Sequence, residues 1–299
     1  MTSSRCKHAT LVVTVIRKTL PQPNPTMSTK RYIARFFSGL YWFLIQGRTS
    51  MKQSFEDVYG INDVGPTFRG IYRDVFGDEY AEEIDHCGFT TKTDLASIVQ
   101  AVGLSPDERL ADFACGRGGN GLYVARTLNA ELRGLDLSEA AIQIATRRIS
   151  EFEMEGRAVF QAGDIRALPF KDREFDAAMC VDSLYMIPDK QAVLREVARV
   201  LKPGKPFVIL TWEFDIPFAV KDYRPILDEC GFDVQEYREI DGWLERQRGI
   251  FEKILANKDA LVREMGKRAA AVWINVSKTE LPKIEKMRRV FIVATTKEA

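Results

Sequence analysis

Apolar and polar positions follow two different periods along most of the chain. Apolar runs at 110–113, 132–136, 158–161, 175–182, 207–210, 232–237 and 289–295 have the length of buried strands. Between several of them the spacing shifts to three and four. Ala141, Ile142, Ala145 and Ile149 then share one helical face, and Val193, Leu194, Val197, Val200 and Leu201 share another. Thr90, Thr91 and Asp94, ahead of Leu95, Ile98 and Val99, predict a capped helix start, and Ser138 with Glu139 predicts a second. Residues 223 to 231 read as a helix that stops at Gly231, and the charge-rich stretch 241–285 as helical, with Trp243, Leu244, Ile250, Phe251, Ile254 and Leu255 available for one face. Strands alternating with helices predict an α/β protein with a doubly wound, seven-stranded sheet.

The first strand carries the strongest chemical signal. Residues 110 to 121 read Leu-Ala-Asp-Phe-Ala-Cys-Gly-Arg-Gly-Gly-Asn-Gly, so a strand bearing Asp112 runs into a turn with glycines at 116, 118, 119 and 121. Such glycines allow a sharp turn and let a ligand approach the main chain. Twenty residues after Gly116, Asp136 ends the second apolar run, where a ribose would present its hydroxyls. The spacing Gly116-x-Gly118-x-x-Gly121 also satisfies the dinucleotide fingerprint, in which pyrophosphate lies on the helix N-terminus. Asp112 separates the two readings. A carboxylate just before the glycines repels pyrophosphate and suits a ligand with ammonium and sulfonium charges, such as S-adenosylmethionine.

From here the chain resembles the class I S-adenosylmethionine-dependent methyltransferases of the small-molecule type, including those of ubiquinone, menaquinone and natural-product metabolism. The resemblance covers about residues 90 to 215. It rests on Asp112 to Gly121, on Asp136, on Gly163-Asp164-Ile165, on 175–182, and on Leu201-Lys-Pro-Gly204 between helix and fifth strand. It implies a mostly parallel sheet whose last strand is antiparallel. It also implies a cofactor site built from Asp112, Ala114, Gly116, Gly118, Asp136, Leu137, Asp164, Ile165 and Asp182, with Asp164 meeting the adenine amino group. Ala114 stands where the family usually has glycine, and it fits if the backbone there has negative φ. Asp182-Ser-Leu-Tyr185 lacks the Asn/Asp-Pro-Pro-aromatic sequence of many nucleobase and glutamine N-methyltransferases, which favours a small-molecule acceptor. The expected activity is methyl transfer to such an acceptor in secondary or isoprenoid metabolism. A nicotinamide oxidoreductase using the same glycines and a cofactor-binding regulator without catalysis are the rival readings.

Acceptor-side residues come from the flanks. Tyr59, Phe68, Tyr72, Tyr185, Trp212 and Trp243 offer aromatic walls, although Phe68, Ile71, Tyr72 and Val75 equally form the buried stripe of an amphipathic helix. Arg246 and Arg248 on the lid are further candidates to face an acceptor. Glu213, expected at the carboxyl end of the fifth strand, and His86, ahead of the helix capped by Thr91, are the candidate proton acceptors. In-line displacement at a sulfonium methyl needs no metal, and none is expected.

Charge refines the list of partners. Nine of the 43 basic residues and none of the 42 acidic ones fall in residues 1–54, leaving 34 basic side chains and a formal charge of −8 on the remainder. An acidic body disfavours nucleic acid. The longest apolar run of the basic segment, residues 40 to 45, is far short of the ~20 residues that span a bilayer, so no stable membrane insertion is expected. The organisation expected is a basic extension over 1–50, disordered or not native, and a methyltransferase domain over 51–299. That domain divides into a helical cap (51–104), a cofactor-binding core (105–240), a helical lid (241–286) and the last strand (287–299). Five cysteines without metal-type spacing suit the cytosol, with organelle targeting through the basic segment as the alternative. The expected partners are a small-molecule acceptor and, as an option, a second copy in a homodimer.

Overall fold

Alternation along the strands decides which face each side chain serves, and the computed structural model shows two apolar cores, one on either side of a single sheet. The structure describes residues 51–61, 63–84, 88–215 and 219–298. The expectations for residues 1–50 and for His86 lie outside these.

Seven strands form the sheet: β1 (Arg109–Phe113), β2 (Glu131–Asp136), β3 (Ala158–Ala162), β4 (Ala177–Val181), β5 (Pro206–Phe214), β6 (Phe232–Glu239) and β7 (Met287–Thr296). Their order is β3-β2-β1-β4-β5-β7-β6, with β7 antiparallel to both neighbours and the others parallel. The doubly wound architecture expected from the alternation is therefore present. The order reverses direction between β1 and β4, and ligands of open α/β sheets bind beyond the strand ends at such a point.

The helices are α1 (Met51–Tyr59), α2 (Pro66–Phe76), α3 (Lys92–Val102), α4 (Gly119–Leu128), α5 (Glu139–Arg147), α6 (Lys190–Val200), α7 (Arg224–Glu229), α8 (Trp243–Ala256) and α9 (Lys258–Glu280). Helices α3, α4 and α5 bury Ile98, Leu122, Ala125, Ile142 and Ala145 in one core, while α6 and α7 bury Val193, Leu194, Val197 and Leu227 in the other. Thr91 caps α3 in a reciprocal box with Asp94, as the sequence implies. The helical stretch after β6 is two helices, α8 and α9, and α9 is broken at Gly266, whose φ of 82° is not helical. These two helices and the cap helix α2 pack together over the first core.

One strand length differs from expectation, with consequences for chemistry. β5 does not stop near residue 210. It pairs with β7 through Trp212↔Arg289, Glu213↔Arg288 and Phe214↔Met287. Trp212 therefore faces the lid core and Glu213 the opposite face.

Candidate functional site

Each of the four parallel strands β1 to β4 delivers an aspartate at or just beyond its carboxyl end: Asp112, Asp136, Asp164 and Asp182. All four line one cavity of about 200 Å³. The glycine turn contributes Ala114, Gly116, Gly119 and Asn120 to its lining, and Leu137 and Ile165 line it as well. Phe55 and Tyr59 of α1 close it from above. Helix α1 is fixed there because Glu56 caps α5: its carboxylate accepts from Ser138 Oγ at 3.0 Å and from the backbone N–H of Glu139 at 2.9 Å.

Asp136 is 8% exposed and is held by the turn it serves. Its Oδ2 accepts from the Gly116 N–H at 2.8 Å and its Oδ1 from the Ser138 N–H at 2.9 Å. Each carboxylate oxygen keeps a further lone pair for a ligand hydroxyl. Burial raises its carboxyl above the ordinary range. Asp112 is in a starker position. Its Oδ2 is buried without a hydrogen-bond partner, and burial together with the neighbouring Asp136 pushes its carboxyl well up. Gly121 is required here for close approach, since a Cβ on it would lie 2.5 Å from Asp112 Oδ2. A buried carboxylate with one oxygen left unpartnered, beside a second carboxylate, fits a cationic ligand and opposes a pyrophosphate.

The remaining two acids carry basic partners. Asp164 pairs with Arg166, which also lines the cavity. Asp182 takes a bidentate pair from Arg289, with Nε to Oδ1 at 3.0 Å and Nη2 to Oδ2 at 2.9 Å. The loop after β4, whose Met186, Ile187 and Pro188 line the cavity, is stapled by Lys190. That ammonium donates to the carbonyls of Tyr185 at 3.0 Å and Ile187 at 2.8 Å, and burial pushes its pKa down to about 8.

Several expected residues stand elsewhere. Gly118 does not line the cavity. It turns the chain at φ 75° and packs so tightly that a Cβ would meet Phe160 at 2.7 Å. Ala114 sits at φ 58°, not in the negative region that alanine prefers. Phe68 and Tyr72 are fully buried in the amphipathic stripe of α2, Phe68 packing against Trp273 at 5.1 Å. Trp212 and Trp243 contact each other edge-on at 5.4 Å under the lid, and Tyr185 packs near Phe214. Of the acceptor-wall candidates, Tyr59 alone borders the large cavity. Arg246 donates to the Asp241 carbonyl at 2.6 Å and Arg248 pairs with Glu285. Glu213 is corrected outright. Because β5 continues past it, its side chain lies on the far face of the sheet, 2% exposed, accepting from the Tyr237 hydroxyl and pairing with Arg288 at 3.3 Å. It ties β5, β6 and β7 together and does not reach the cavity.

The backbone at Ala114 has a measurable consequence. A left-handed conformation costs an L-residue about 1–2 kcal/mol, and glycine's greater freedom in the unfolded chain returns about 0.4–1 kcal/mol of that. Ala114→Gly is expected to stabilise the fold by up to about 1.6 kcal/mol in urea denaturation. A less stable variant would mean that the alanine methyl packs usefully.

Comparison with known proteins agrees with this geometry. Residues 110–204 match a family model described as a methyltransferase domain. Methyltransferase GfsG of Streptomyces halstedii is 25% identical over 195 residues, covering 58% of this chain and 69% of that protein. A fatty-acid O-methyltransferase of Mycolicibacterium smegmatis is 33% identical over 170 residues, covering 56% of this chain and 58% of its own length. In fold, the chain is similar to the crystal structure of the [4+2]-cyclase SpnF, with a TM-score of 0.63 and 21% identity over 78% of this chain and 93% of that one. Residues 110–204 form a methyltransferase domain, and the similarity of the chain to class I S-adenosylmethionine-dependent methyltransferases makes S-adenosylmethionine its cofactor.

Proposed function

We propose that the protein methylates a small, largely apolar acceptor, of the kind made in secondary or isoprenoid metabolism, which reaches the cofactor from the side of the cap and lid. The orphaned Asp112 Oδ2 carries the cofactor half of this reading, because it supplies the unpaired negative charge that an ammonium or sulfonium would neutralise. In this assignment Asp136 accepts from the ribose hydroxyls and Asp164 from the adenine amino group. Leu137 and Ile165 flank the base, and Ala114 and Gly116 offer backbone at close range. When bound, the cofactor supplies a methyl group on a positively charged sulfur. Held by these residues, it would donate that methyl to the acceptor's nucleophilic atom, the bonding pair would remain on sulfur, and a protic acceptor would lose its proton.

The chain's own contribution is positioning and electrostatics. Phe55 and Tyr59 cover the site and exclude water, and the carboxylates hold the cation until transfer neutralises the sulfur. A proton-accepting role for His86 concerns a residue outside the described part of the chain. Division of the domain into cap, core and lid at residues 104, 240 and 286 is supported by the position of β7, which returns to the sheet only after α9. No described helix is long and apolar enough to cross a membrane. Among the described residues Cys115, Cys180 and Cys230 form no disulfide, which suits a reducing, cytosolic compartment.

Calorimetric titration of the purified protein with S-adenosylhomocysteine and, separately, NADH tests the cofactor assignment. Micromolar binding of the first with none of the second is expected. Preferential nicotinamide binding would remove the methyltransferase assignment altogether.

A further inference from the structure

Helix α1 reaches three parts of the molecule with neighbouring side chains. Phe55 and Tyr59, one turn apart, line the cofactor cavity, with their ring centres 6.0 Å from each other. Tyr59 lies over the glycine turn, since a Cβ on Gly116 would be 3.9 Å from its Cδ1. Val58 packs in the first core, and among the described side chains of α1 it alone is buried. Glu56 goes to α5. Its carboxylate accepts from Ser138 Oγ at 3.0 Å, from the Glu139 N–H at 2.9 Å and from the Ala140 N–H at 3.1 Å.

Helix α5 does not need Glu56 for its own start. Ser138 already caps it, accepting from the Ala141 N–H at 3.1 Å. Glu56 arrives from far earlier in the chain and takes the first two N–H groups of the helix, where the dipole favours a carboxylate. The larger consequence falls on α1, which has little apolar burial of its own to hold it down. Just beyond α1 the chain is pinned, because Arg117 of the glycine turn donates to the Ile61 carbonyl at 2.6 Å. Gly60 lets this end abut α5, since a Cβ there would lie 2.6 Å from Ala140 Cβ. The helix therefore has one fixed end and one polar latch, and the latch sits between the two rings that cover the cavity. It also adjoins the cofactor carboxylate: Ser138 gives its hydroxyl proton to Glu56 and its N–H to Asp136.

We infer that Glu56 is a positioning residue that latches α1 shut over the bound cofactor, and that S-adenosylhomocysteine leaves when this latch breaks. The inference rests on the methyltransferase reading and extends it to release of the spent cofactor. The latch joins protein groups only, so it forms with or without the cofactor. It therefore acts on the opening of α1 more than on affinity, since only an interaction that distinguishes bound from free protein shifts the binding equilibrium. Hydrogen bonds at a half-exposed helix end break and reform readily, as a cover that opens once per turnover requires.

The test loads the full chain with tritiated S-adenosylhomocysteine, chases it with excess unlabelled ligand, and measures Kd by calorimetry in parallel. Glu56→Ala should speed release about tenfold, the low end for bonds to a charged group because the freed N–H groups of α5 turn to water, while Kd changes by less than about threefold. Glu56→Gln keeps one acceptor oxygen and the side-chain shape, and its release rate should fall between the two. Circular dichroism checks the fold of both variants. Unchanged release in both, or release that quickens only in proportion to lost affinity, overturns the inference. The first result would make Glu56 a plain surface cap, and the second a support of the binding site. Failure of the parent protein to bind S-adenosylhomocysteine would instead bring down the methyltransferase reading beneath it.

Discussion

Arg289→Met is expected to cost about 3–5 kcal/mol of folding stability, the range for removing one partner of a buried charge cluster. Arg289 is 1% exposed, and its guanidinium joins three separate elements. From β7 it grips Asp182 beyond β4 with two bonds, and Asp94 in the first turn of α3 at 2.7 Å. Asp94 in turn accepts from the Thr91 N–H at 3.0 Å, so the same carboxylate serves the helix cap. Methionine fills a similar volume, but it leaves two buried carboxylates without the cation that hydrogen-bonds to both. Burial works to raise the Asp94 carboxyl, and Arg289, with smaller help from the Thr91 N–H and Arg246, more than offsets it, holding the group below its ordinary value. A depressed carboxylate contributes stability that is fully present above the unfolded value and is lost as pH falls through the folded one. Chemical denaturation at pH 7 should therefore show the full loss in Arg289→Met, with the gap to the parent narrowing in acid. Combining it with Asp94→Asn and Asp182→Asn should restore much of the stability, because the stranded charges are then gone. A loss under about 1 kcal/mol in the single variant would show that water or other groups reach the two acids.

Arg289 also marks where sequence reading stops. It opens the apolar run 289–295 and reads locally as a polar strand boundary. Its partners lie 107 and 195 residues away, and no local pattern announces a pairing that only the sheet order creates. The cofactor cavity is the opposite case. Asp112, the glycine turn and Asp136 are close in sequence because the ligand is held by one β–α–β unit, so spacing alone places them. Glu213 departs from expectation because a strand's length depends on its partner. Residues 207–210 are strongly apolar, but β5 runs on to Phe214 since β7 pairs with it that far. Alternation then sends Trp212 towards the lid and Glu213 away. Ala114 departs from expectation for another reason: a residue's identity does not state its φ, and here the tight turn after β1 imposes a positive value on a non-glycine residue. For Phe68 and Tyr72 the helical stripe correctly implied burial; the covering residue Trp273 is far along the chain and becomes visible only when α9 packs on α2.

Asp136→Ala is expected to weaken S-adenosylhomocysteine binding by about 1.5–3 kcal/mol, roughly ten- to 150-fold, the worth of hydrogen bonds to a charged group. The carboxylate serves two functions, and the variant should separate them. Inwardly it accepts from Gly116 and Ser138 and so holds the glycine turn against the start of α5. Outwardly its remaining lone pairs are the proposed ribose contacts. Asp136→Asn keeps one acceptor oxygen and should fall between the parent and the alanine variant. A second effect follows from charge. Asp136 is one of the groups that raise the Asp112 carboxyl, after burial itself. As pH falls, protonation of Asp112 removes the charge that attracts the cationic methyl donor, so affinity for S-adenosylmethionine should decline in acid more steeply than affinity for the uncharged sulfur of S-adenosylhomocysteine. With Asp136 gone, Asp112 stays ionised to lower pH, and the midpoint of that decline should move towards acid. Calorimetry with both ligands across pH reads both effects, and circular dichroism confirms the fold. Unchanged affinity in a folded Asp136→Ala protein would exclude the ribose contact. A midpoint that does not move would exclude Asp112 as the group facing the cation.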